Sequence, residues 1–279
     1  MSLDPQFGER YGPWALVAGA SDGIGEAFAR RIAQAGINVV LLARRAALLQ
    51  TLASELRQQF GVATREIVVD LTADGLLPAV REATDDLEVG LVVYNAGAAH
   101  GAGHFLDRTA EAALALVALN CRGPVVLAHH FGARMRERRR GGIVLLSSLA
   151  ALSGSAHIAV YSATKSFDMV LAEGLWHELK PAGVDAMCLV VGATLTPSML
   201  ASRNSFRDYP GIMQPADVAG EGLGFLGRGP VCVAGAHNRA IVSAMLPGSR
   251  VAAINGLSQA TASIYGLPPV TVEGEDVNG

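Results

Sequence analysis

Apolar residues along the first two-thirds of the chain fall into short, often β-branched runs that alternate with longer stretches of helical periodicity. Runs of about four to eight apolar residues between helices are typical of parallel strands that are buried on both faces and joined by right-handed crossovers. The pattern predicts a doubly wound α/β fold with a parallel sheet of about seven strands and helices on both faces. In such folds ligands bind beyond the carboxyl ends of the strands. The predicted strands cover residues 14–17, 39–42, 67–69, 91–93, 143–146, 187–191 and 231–233.

No linker, internal repeat or low-complexity tract divides the chain. The sequence therefore predicts one domain, residues 1–279, which is a size that α/β folds often reach. Residues 195–230 are interpreted as the region over the substrate. Within it, Leu195 to Pro210 is rich in Ser, Met, Phe and Tyr and is hypothesised to form a mobile lid. Residues 235–279 are interpreted as a C-terminal extension that covers either the functional site or an oligomer surface.

Composition and charge narrow the function classes. The chain is 51% apolar and 17% charged, so it can bury a large core and is not globally disordered. A net charge of −3 gives no electrostatic reason to expect nucleic acid as a partner. The basic run Arg134 to Arg140 could form a nucleic-acid patch, but it ends a predicted helix, where cations favour the negative end of the helix dipole. The structural interpretation of this run is therefore preferred.

Localisation is predicted from the cysteines and the apolar stretches. The three cysteines are widely spaced and form no CxxC pair, which favours a reducing, cytoplasmic compartment and argues against a structural metal. The first residues carry charges and no apolar stretch, so no signal peptide is expected. Residues 141–164 and 251–272 are long and uncharged but are interrupted by polar residues. They are interpreted as core elements of a soluble protein without a membrane span, with a membrane-skimming tail as the alternative.

A glycine-rich turn follows the first predicted strand and precedes a helix. It reads Gly19-Ala20-Ser21-Asp22-Gly23-Ile24-Gly25. Glycines there let backbone N–H groups approach a pyrophosphate at the positive end of the helix, which indicates a dinucleotide site. Such sites usually carry a carboxylate about 20 positions further on, but here Arg44 stands 44 − 25 = 19 positions after the last glycine and is followed by Arg45. A guanidinium suits a 2′-phosphate, so NADP(H) is favoured over NAD(H); the alternative is a solvated arginine at a helix start.

Candidate proton-transfer residues lie in the second half of the chain. Tyr161 and Lys165 are four positions apart and share a helix face. Because an ammonium favours the ionised form of a nearby phenol, Tyr161 can exchange a proton with a carbonyl or alcohol oxygen. Ser148 ends a predicted strand and could stabilise the oxyanion, although it and Ser147 could instead satisfy turn backbone groups. Asn120 interrupts an apolar helix and requires hydrogen-bond partners there, as a functional or a core amide.

Together these residues resemble the short-chain dehydrogenase/reductase family over about residues 12 to 200, which implies a Rossmann-type fold. The resemblance implies a catalytic tetrad of Asn120, Ser148, Tyr161 and Lys165, in which the lysine also holds the nicotinamide ribose and the asparagine supports a proton relay. It assigns Asp70 to adenine recognition and Asn95-Ala96-Gly97 to the turn after the fourth strand. The residues predicted to contact the cofactor are Gly19, Ser21, Asp22, Gly23, Ile24, Gly25, Arg44, Arg45, Asp70, Leu71, Asn95, Ala96, Gly97, Tyr161, Lys165, Thr194 and Thr196.

Three positions depart from the family pattern. Ala18 stands for a threonine, Tyr94 for an asparagine and Val191 for a proline, and we expect these changes to loosen the surrounding loops. The stretches at residues 11–17 and 38–45 are similar to a branch that contains 3-oxoacyl-thioester and hydroxysteroid reductases.

The sequence therefore predicts an NADP(H)-dependent oxidoreductase acting on an apolar small-molecule carbonyl or alcohol, assembled as a homodimer or homotetramer, with no metal. The alternatives are an NADP(H) sensor without turnover, an isomerase or dehydratase on the same fold, and specifically a 3-oxoacyl-thioester reductase.

Overall fold

The computed structural model describes residues 3–97, 103–202, 209–245, 248–265 and 271–276. Within these residues, seven strands form one parallel sheet in the order β3-β2-β1-β4-β5-β6-β7, which confirms the predicted doubly wound α/β fold. The chain winds outward from β1 in both directions, so the carboxyl ends of β1 and β4 flank the point where the winding reverses. The strands are β1 Trp14–Ala18, β2 Asn38–Ala43, β3 Thr64–Val68, β4 Val89–Tyr94, β5 Gly141–Ser148, β6 Val184–Val191 and β7 Val231–Val233.

Helices cover both faces of the sheet, as the pattern predicts. A π-helical turn, Ala118–Arg122, joins α5 to α6, and short 3₁₀ turns lie at Phe105–Asp107, Leu149–Leu152 and Lys180–Ala182. The helices are α1 Phe7–Tyr11, α2 Gly23–Gln34, α3 Ala46–Phe60, α4 Leu76–Thr84, α5 Ala110–Val117, α6 Gly123–Arg138, α7 Ala159–Leu179, α8 Pro197–Ser202, α9 Pro215–Phe225, α10 Ala236–Met245 and α11 Arg250–Tyr265.

Alternation along each strand builds two hydrophobic cores from uniformly apolar sequence. In β1, Ala15 and Val17 belong to the core shared with α2, α3 and α9. Leu16 and Ala18 belong to the core shared with α4, α6 and α7. Successive strand residues point to opposite faces of a sheet, so a strand covered on both faces needs apolar residues at every position. This requirement explains why the strands read as continuous runs.

The basic run at the end of α6 is part of the fold. Arg134 pairs with Asp85 at 2.5 Å, and Arg140 pairs with Glu88, so arginines of the run meet carboxylates between α4 and β4. Arg138 donates to the carbonyl of Val89 at 2.8 Å. The structural interpretation of the run is confirmed, and the partners are specific carboxylates in addition to the helix dipole.

One helical run among the described residues, Ala110–Arg138, is long and apolar enough to cross a membrane by length and composition alone. That is weak evidence, because a helix packed on a protein core passes the same test. Here Phe131 and Met135 of the run are buried against the sheet.

The C-terminal extension divides between the two ends of the sheet. Helix α10 contacts the 3₁₀ turn that follows β5, at the carboxyl ends of the strands. Residues 271–276 lie at the opposite end, where Asn255 exchanges two hydrogen bonds with the backbone of Val272 and Glu275 pairs with Arg228. Residues 271–276 therefore lie away from the ligand-binding edge, whereas α10 lies beside it.

Candidate active site

The glycine turn closes tightly between β1 and α2. Gly19 has a φ of +82°, and a Cβ there would lie 2.8 Å from the backbone of Ala96. A Cβ on Gly25 would lie 2.0 Å from the Gly19 oxygen. The N–H groups of Gly19 and Ala20 both donate to the Leu42 carbonyl, at 2.8 and 3.1 Å. The turn therefore presents bare backbone at the amino end of α2, and its shape fits a pyrophosphate as predicted.

The turn after β4 supports the glycine turn. Asn95 Nδ2 donates to the Gly19 carbonyl at 3.0 Å, and the N–H groups of Asn95 and Ala96 donate to the Ala18 carbonyl. A Cβ on Gly97 would lie 3.0 Å from Lys165 Nζ. The asparagine of this motif thus connects the cofactor turn to the sheet, while its glycine leaves space beside the lysine.

The two arginines after β2 have different partners. Arg45 Nη2 donates to Ser21 Oγ and to Asp22 Oδ2, both at 2.6 Å, and so neutralises a carboxylate beside the glycine turn. Arg44 is exposed and makes no ion pair within 4 Å with any residue in the described part of the chain. It remains available to an anionic group of a ligand at the adenosine end of the site.

Asp70 lies beside Arg44 after β3. The N–H and hydroxyl of Thr72 both donate to Asp70 Oδ1, at 2.9 and 2.8 Å, and these bonds, with a smaller contribution from Arg44, lower the pKa of the carboxyl. Leu71, also predicted to contact the cofactor, is 5% exposed and packs in the core, so its backbone alone can face a ligand.

Three of the predicted proton-transfer residues, Ser148, Tyr161 and Lys165, line one cleft at the carboxyl ends of the strands, and Asn120 is buried behind it. Its volume is ≈ 270 Å³, and it is bounded on one side by the amino end of α2 and on the other by the loop after β6. The structure thus brings the proton-transfer and nicotinamide-end predictions together. Lining residues predicted from the sequence are Asp22, Gly23, Ile24, Asn95, Gly97, Ser148, Tyr161, Lys165, Thr194 and Thr196.

The two serines at the end of β5 have separate roles. Ser148 Oγ accepts a hydrogen bond from the Ala150 N–H at 3.2 Å, as the turn-capping alternative predicts. A hydroxyl that accepts one bond keeps its own proton to donate, so this cap orients Ser148 toward the cleft without using its donor. Ser147 is buried and donates to the Lys165 carbonyl at 2.6 Å, which fixes α7 against the sheet.

The lysine is held by two acceptors. Lys165 Nζ donates to the Leu146 carbonyl at 2.7 Å and to Asp168 Oδ2 at 2.9 Å. Burial raises the pKa of the Asp168 carboxyl to about 6, and the lysine opposes that rise. Asp168 was not anticipated from the sequence, in which it reads as one of many charged residues on a long helix.

Asn120 lies in the π-helical turn and is fully buried. Its Nδ2 donates to Thr164 Oγ1 at 2.9 Å, and that hydroxyl in turn donates to the Tyr161 carbonyl at 2.9 Å. The requirement that this amide be hydrogen-bonded is confirmed. The π turn widens the helix at this point and directs the amide toward α7, which agrees with the frequent presence of such turns at functional sites.

Tyr94 does not loosen its loop, so that expectation is wrong. Its side chain is 1% exposed, and its hydroxyl donates to the Leu119 carbonyl at 2.6 Å. A Cβ on Gly123 would lie 2.1 Å from that hydroxyl, so a glycine in α6 makes room for the larger ring. The phenol therefore ties β4 to the π turn that carries Asn120.

The loop after β6 is also held rather than loosened. Val191 continues β6 and pairs with Ser148. Met213 exchanges backbone hydrogen bonds with Ala193 and Leu195. Thr196 Oγ1 accepts from the Met199 N–H at 3.2 Å and caps α8.

An apolar recess opens on the other side of Tyr161. It has a volume of ≈ 40 Å³, and its walls include Phe105, Leu116, Ile158 and Val160. His157 also lines it, and its ring lies against that of His104, with the two centroids 4.4 Å apart. Tyr161 is thus the boundary between the polar cleft and an apolar surface.

Comparison with known proteins agrees with this geometry. The model of the short chain dehydrogenase family matches residues 13–207. The chain is 32% identical over 235 residues to a 7β-hydroxysteroid dehydrogenase of Collinsella aerofaciens, covering 83% of this chain and 89% of the relative. It is 31% identical over 218 residues to a very-long-chain 3-oxoacyl-CoA reductase-like protein of Arabidopsis thaliana, covering 77% and 69%.

Solved structures of similar proteins have the same fold. A structure of a 7β-hydroxysteroid dehydrogenase superimposes with a TM-score of 0.79 at 29% identity, covering 90% of this chain and 98% of the other. A short-chain dehydrogenase of Sphingobium yanoikuyae in complex with NADPH gives a TM-score of 0.70 at 27% identity, covering 94% and 99%. The chain belongs to the short-chain dehydrogenase family, and is an NAD(P)(H)-type oxidoreductase acting on CH–OH groups.

Proposed function

We propose that this protein is an NADP(H)-dependent oxidoreductase that interconverts a ketone and a secondary alcohol on an apolar skeleton. One observation carries the proposal: Ser148, Tyr161 and Lys165 line the same cleft as the amino end of α2, where the glycine turn ends. A sensor of cofactor would need the turn but would have no use for a phenol, a hydroxyl and an ammonium collected beside it.

The chain's own residues account for the proton chemistry. Ser148, whose hydroxyl accepts from the Ala150 N–H and keeps its own proton, donates that proton to the substrate oxygen and orients the carbonyl. Tyr161 gives its phenol proton to that oxygen during reduction and takes it back during oxidation. The Lys165 ammonium favours the phenolate left behind. The nicotinamide group, when bound, supplies or accepts the hydride.

Arg44 supports NADP(H) over NAD(H), and Arg45 supports a dinucleotide of either kind. Arg44 is exposed at the end of β2, where a 2′-phosphate would form charge-assisted hydrogen bonds with its guanidinium. Arg45 already neutralises Asp22, so the carboxylate near the glycine turn does not repel a pyrophosphate. Gly19, Gly23 and Gly25 would hold the pyrophosphate, and Lys165 would hold the nicotinamide ribose.

The substrate side supports an apolar, bulky ketone. Phe105, Leu116, Ile158 and Val160 form an apolar wall next to Tyr161. The relatives named above include a hydroxysteroid dehydrogenase and a 3-oxoacyl-CoA reductase-like protein, whose names imply large apolar skeletons. A steroid ketone and a long-chain 3-oxoacyl thioester are therefore the first substrates to test.

A mobile lid over the substrate is part of the proposal, and its extent is limited. Helix α9 packs on α2 and buries Val218 and Leu223, so the second half of residues 195–230 belongs to the core. The lid hypothesis for Leu195–Pro210 therefore applies to the residues after Leu195 and Thr196, which are held by hydrogen bonds with Met213 and Met199. Residues 203–208 lie outside the described part of the chain. We expect the backbone amides of this segment to exchange their hydrogens rapidly, and the exchange to slow when cofactor and substrate bind.

Assembly into a homodimer or homotetramer is proposed from an exposed apolar face. Helices α5 and α6, which flank the turn of Asn120, and α7, which carries Tyr161, expose large apolar side chains that a second copy would cover. The exposed apolar residues on α5, α6 and α7 are Leu114, Val117, Val125, Phe167 and Val170.

A cytoplasmic location is proposed as well, because Cys121, Cys188 and Cys232 are all free thiols.

The test of function follows the loss of NADPH absorbance with steroid ketones, 3-oxoacyl thioesters, sugars, quinones and simple aldehydes. Wild type is compared with Tyr161→Phe, which keeps the ring and removes the proton. Turnover that prefers NADPH and falls by roughly 100-fold or more in the variant supports the proposal. Tight NADPH binding without turnover on any carbonyl would favour the sensor, and product formation without net cofactor consumption would favour the isomerase or dehydratase.

A further inference from the structure

A buried carboxylate touches the lysine of the site and has no part in the chemistry proposed above. The side chains of Lys165 and Asp168 are 5% and 1% exposed, and their Nζ and Oδ2 atoms are 2.9 Å apart. The other lysine bond goes to the Leu146 carbonyl. Since an ammonium has three donors, the protein fixes two and leaves one for the cleft, where Gly97 provides space.

The surroundings of Asp168 make this pair the dominant electrostatic feature. Tyr94 from β4, Cys121 from the π turn and Cys188 from β6 are the titratable groups that face it from other elements. Burial raises the pKa of all three, that of Cys121 to about 11, so they are neutral at physiological pH. Among the described residues, Lys165 is the one cation in ion-pair contact with the carboxylate. Asp168 Oδ1 is buried and accepts no hydrogen bond from a described residue.

We propose that Asp168 is a positioning residue: its ion pair fixes the Lys165 ammonium and partly offsets its charge, and thereby sets the pH range in which Tyr161 exchanges its proton. The inference rests on the proposed oxidoreductase function. It adds a group that acts through the lysine and touches neither substrate nor cofactor.

The sign of the effect follows from the charges. An ammonium beside a phenol favours the phenolate, and a carboxylate that offsets the ammonium weakens that preference. Burial raises the pKa of Asp168 to about 6, so the carboxylate is mostly ionised at neutral pH and the offset is present. Removing the charge of Asp168 should therefore strengthen the preference of the Lys165 ammonium for the phenolate form of Tyr161. A neighbouring charge typically moves an ionisation by about one to three pH units, and partial offset predicts the lower end of that range.

The test uses Asp168→Asn, which keeps the shape of the side chain and removes its charge. The pH dependence of kcat/KM for alcohol oxidation is measured in both proteins. In parallel, phenolate absorbance is titrated, and the Tyr161 contribution is isolated by subtracting the matching Tyr161→Phe protein. Both midpoints should fall by about one pH unit in D168N. An unchanged midpoint, or one displaced to higher pH, would overturn the assignment.

Glu173→Gln is the matched control. Glu173 is another buried carboxylate on α7 and pairs with Arg250 at 2.6 Å, away from the cleft residues. This variant loses a buried ion pair on the same helix without changing the partners of Lys165, so the two midpoints should stay in place. The absorbance titration needs no substrate: a displaced phenolate midpoint without carbonyl turnover would refute the proposed function and leave the role of Asp168 standing.

A second pair of variants covers the case in which D168N does not fold. Asp168→Ser removes the charge and admits water, and should show the same fall in midpoint. Asp168→Glu keeps the charge and should retain the wild-type midpoint. If only the charged variant folds, the carboxylate is a folding requirement and its assignment as a positioning residue for proton exchange is overturned.

Discussion

Thr164 provides the sharpest test of how the site is held together. Its hydroxyl accepts from the buried amide of Asn120 and donates to the Tyr161 carbonyl, so it links the π turn to α7. Thr164→Val preserves the shape of the side chain and removes that hydroxyl. The Asn120 amide then loses a buried acceptor, which costs about 1–3 kcal/mol in the free energy of unfolding.

Thr84→Val is the matched control. Thr84 is fully buried, and its hydroxyl donates only to the Val80 carbonyl in its own helix at 2.7 Å. Removing a hydroxyl of this kind leaves no amide without an acceptor, because a helix carbonyl also accepts from the backbone. The expected cost is below about 1 kcal/mol.

Urea unfolding followed by circular dichroism measures both variants, and the same comparison is made in an Asn120→Ala background. If the reasoning is correct, Thr164→Val costs little once the amide is absent, since the two residues are coupled. Thermal midpoints should fall by roughly 2–4 °C per kcal/mol for a chain of comparable size. Equal costs for T164V in the two backgrounds, or equal costs for T164V and T84V, would refute the hydrogen-bond relay.

Other variants test the cofactor turn, the assembly and the buried carboxylate. Arg44→Ala should raise the KM for NADPH by roughly 10- to 100-fold, the value of a lost charge-assisted contact, and leave that for NADH unchanged; a parallel rise for both would contradict a 2′-phosphate contact. Gly25→Ala places a methyl 2.0 Å from the Gly19 oxygen and should abolish NADPH binding in a fluorescence titration, whereas Gly174→Ala, with open space around it, should not. Leu114→Glu charges a residue that is 64% exposed and should lower the mass in sedimentation without lowering the thermal midpoint; an unchanged mass would remove this face from the interface. For Asp168, folding raises the pKa from 3.8 to about 6, so the protonated carboxyl stabilises the folded state. This contribution is complete below the pKa of the unfolded chain and is lost as the pH rises through about 6. The free energy of unfolding of D168N should therefore rise relative to that of wild type between about pH 4 and 6.

The fold could be predicted because both faces of a doubly wound sheet demand apolar residues. The predicted strands and helix α3 differ from the observed ones by a few terminal residues at most, since continuous runs such as that in β6 have few other uses. Ser148 and Asn95 could be predicted to lie near each other because Ser148 ends β5 and Asn95 follows β4, and the carboxyl ends of parallel strands meet at one edge.

Other parts of the site were beyond sequence reasoning. Asp168 lies three positions after Lys165, a spacing that is equally common for a solvated ion pair, and its burial depends on how α7 meets β5 and β6. Thr164 could have been noticed as a polar residue on the buried face of α7. The role of Tyr94 required knowledge of Gly123, which lies 29 positions further along the chain and provides the space for the ring.

The uniformly apolar strands have a consequence for register. In a sheet with one wet face, a slip of one residue exposes the core, and hydrophobicity alone penalises it. Here helices cover both faces of the sheet, so burial of the apolar side chains in the strands scarcely favours one register over the next. The register of the strands must therefore be fixed by hydrogen bonds at the strand ends, where polar groups are present. Two sets of bonds hold β1 between its neighbours: those from Gly19 and Ala20 to Leu42, and those from Asn95 to Ala18 and Gly19. The loops of the predicted cofactor site therefore also set the register of the sheet. A substitution that disturbs these loops would shift the alignment of the strands as well as disrupt the site.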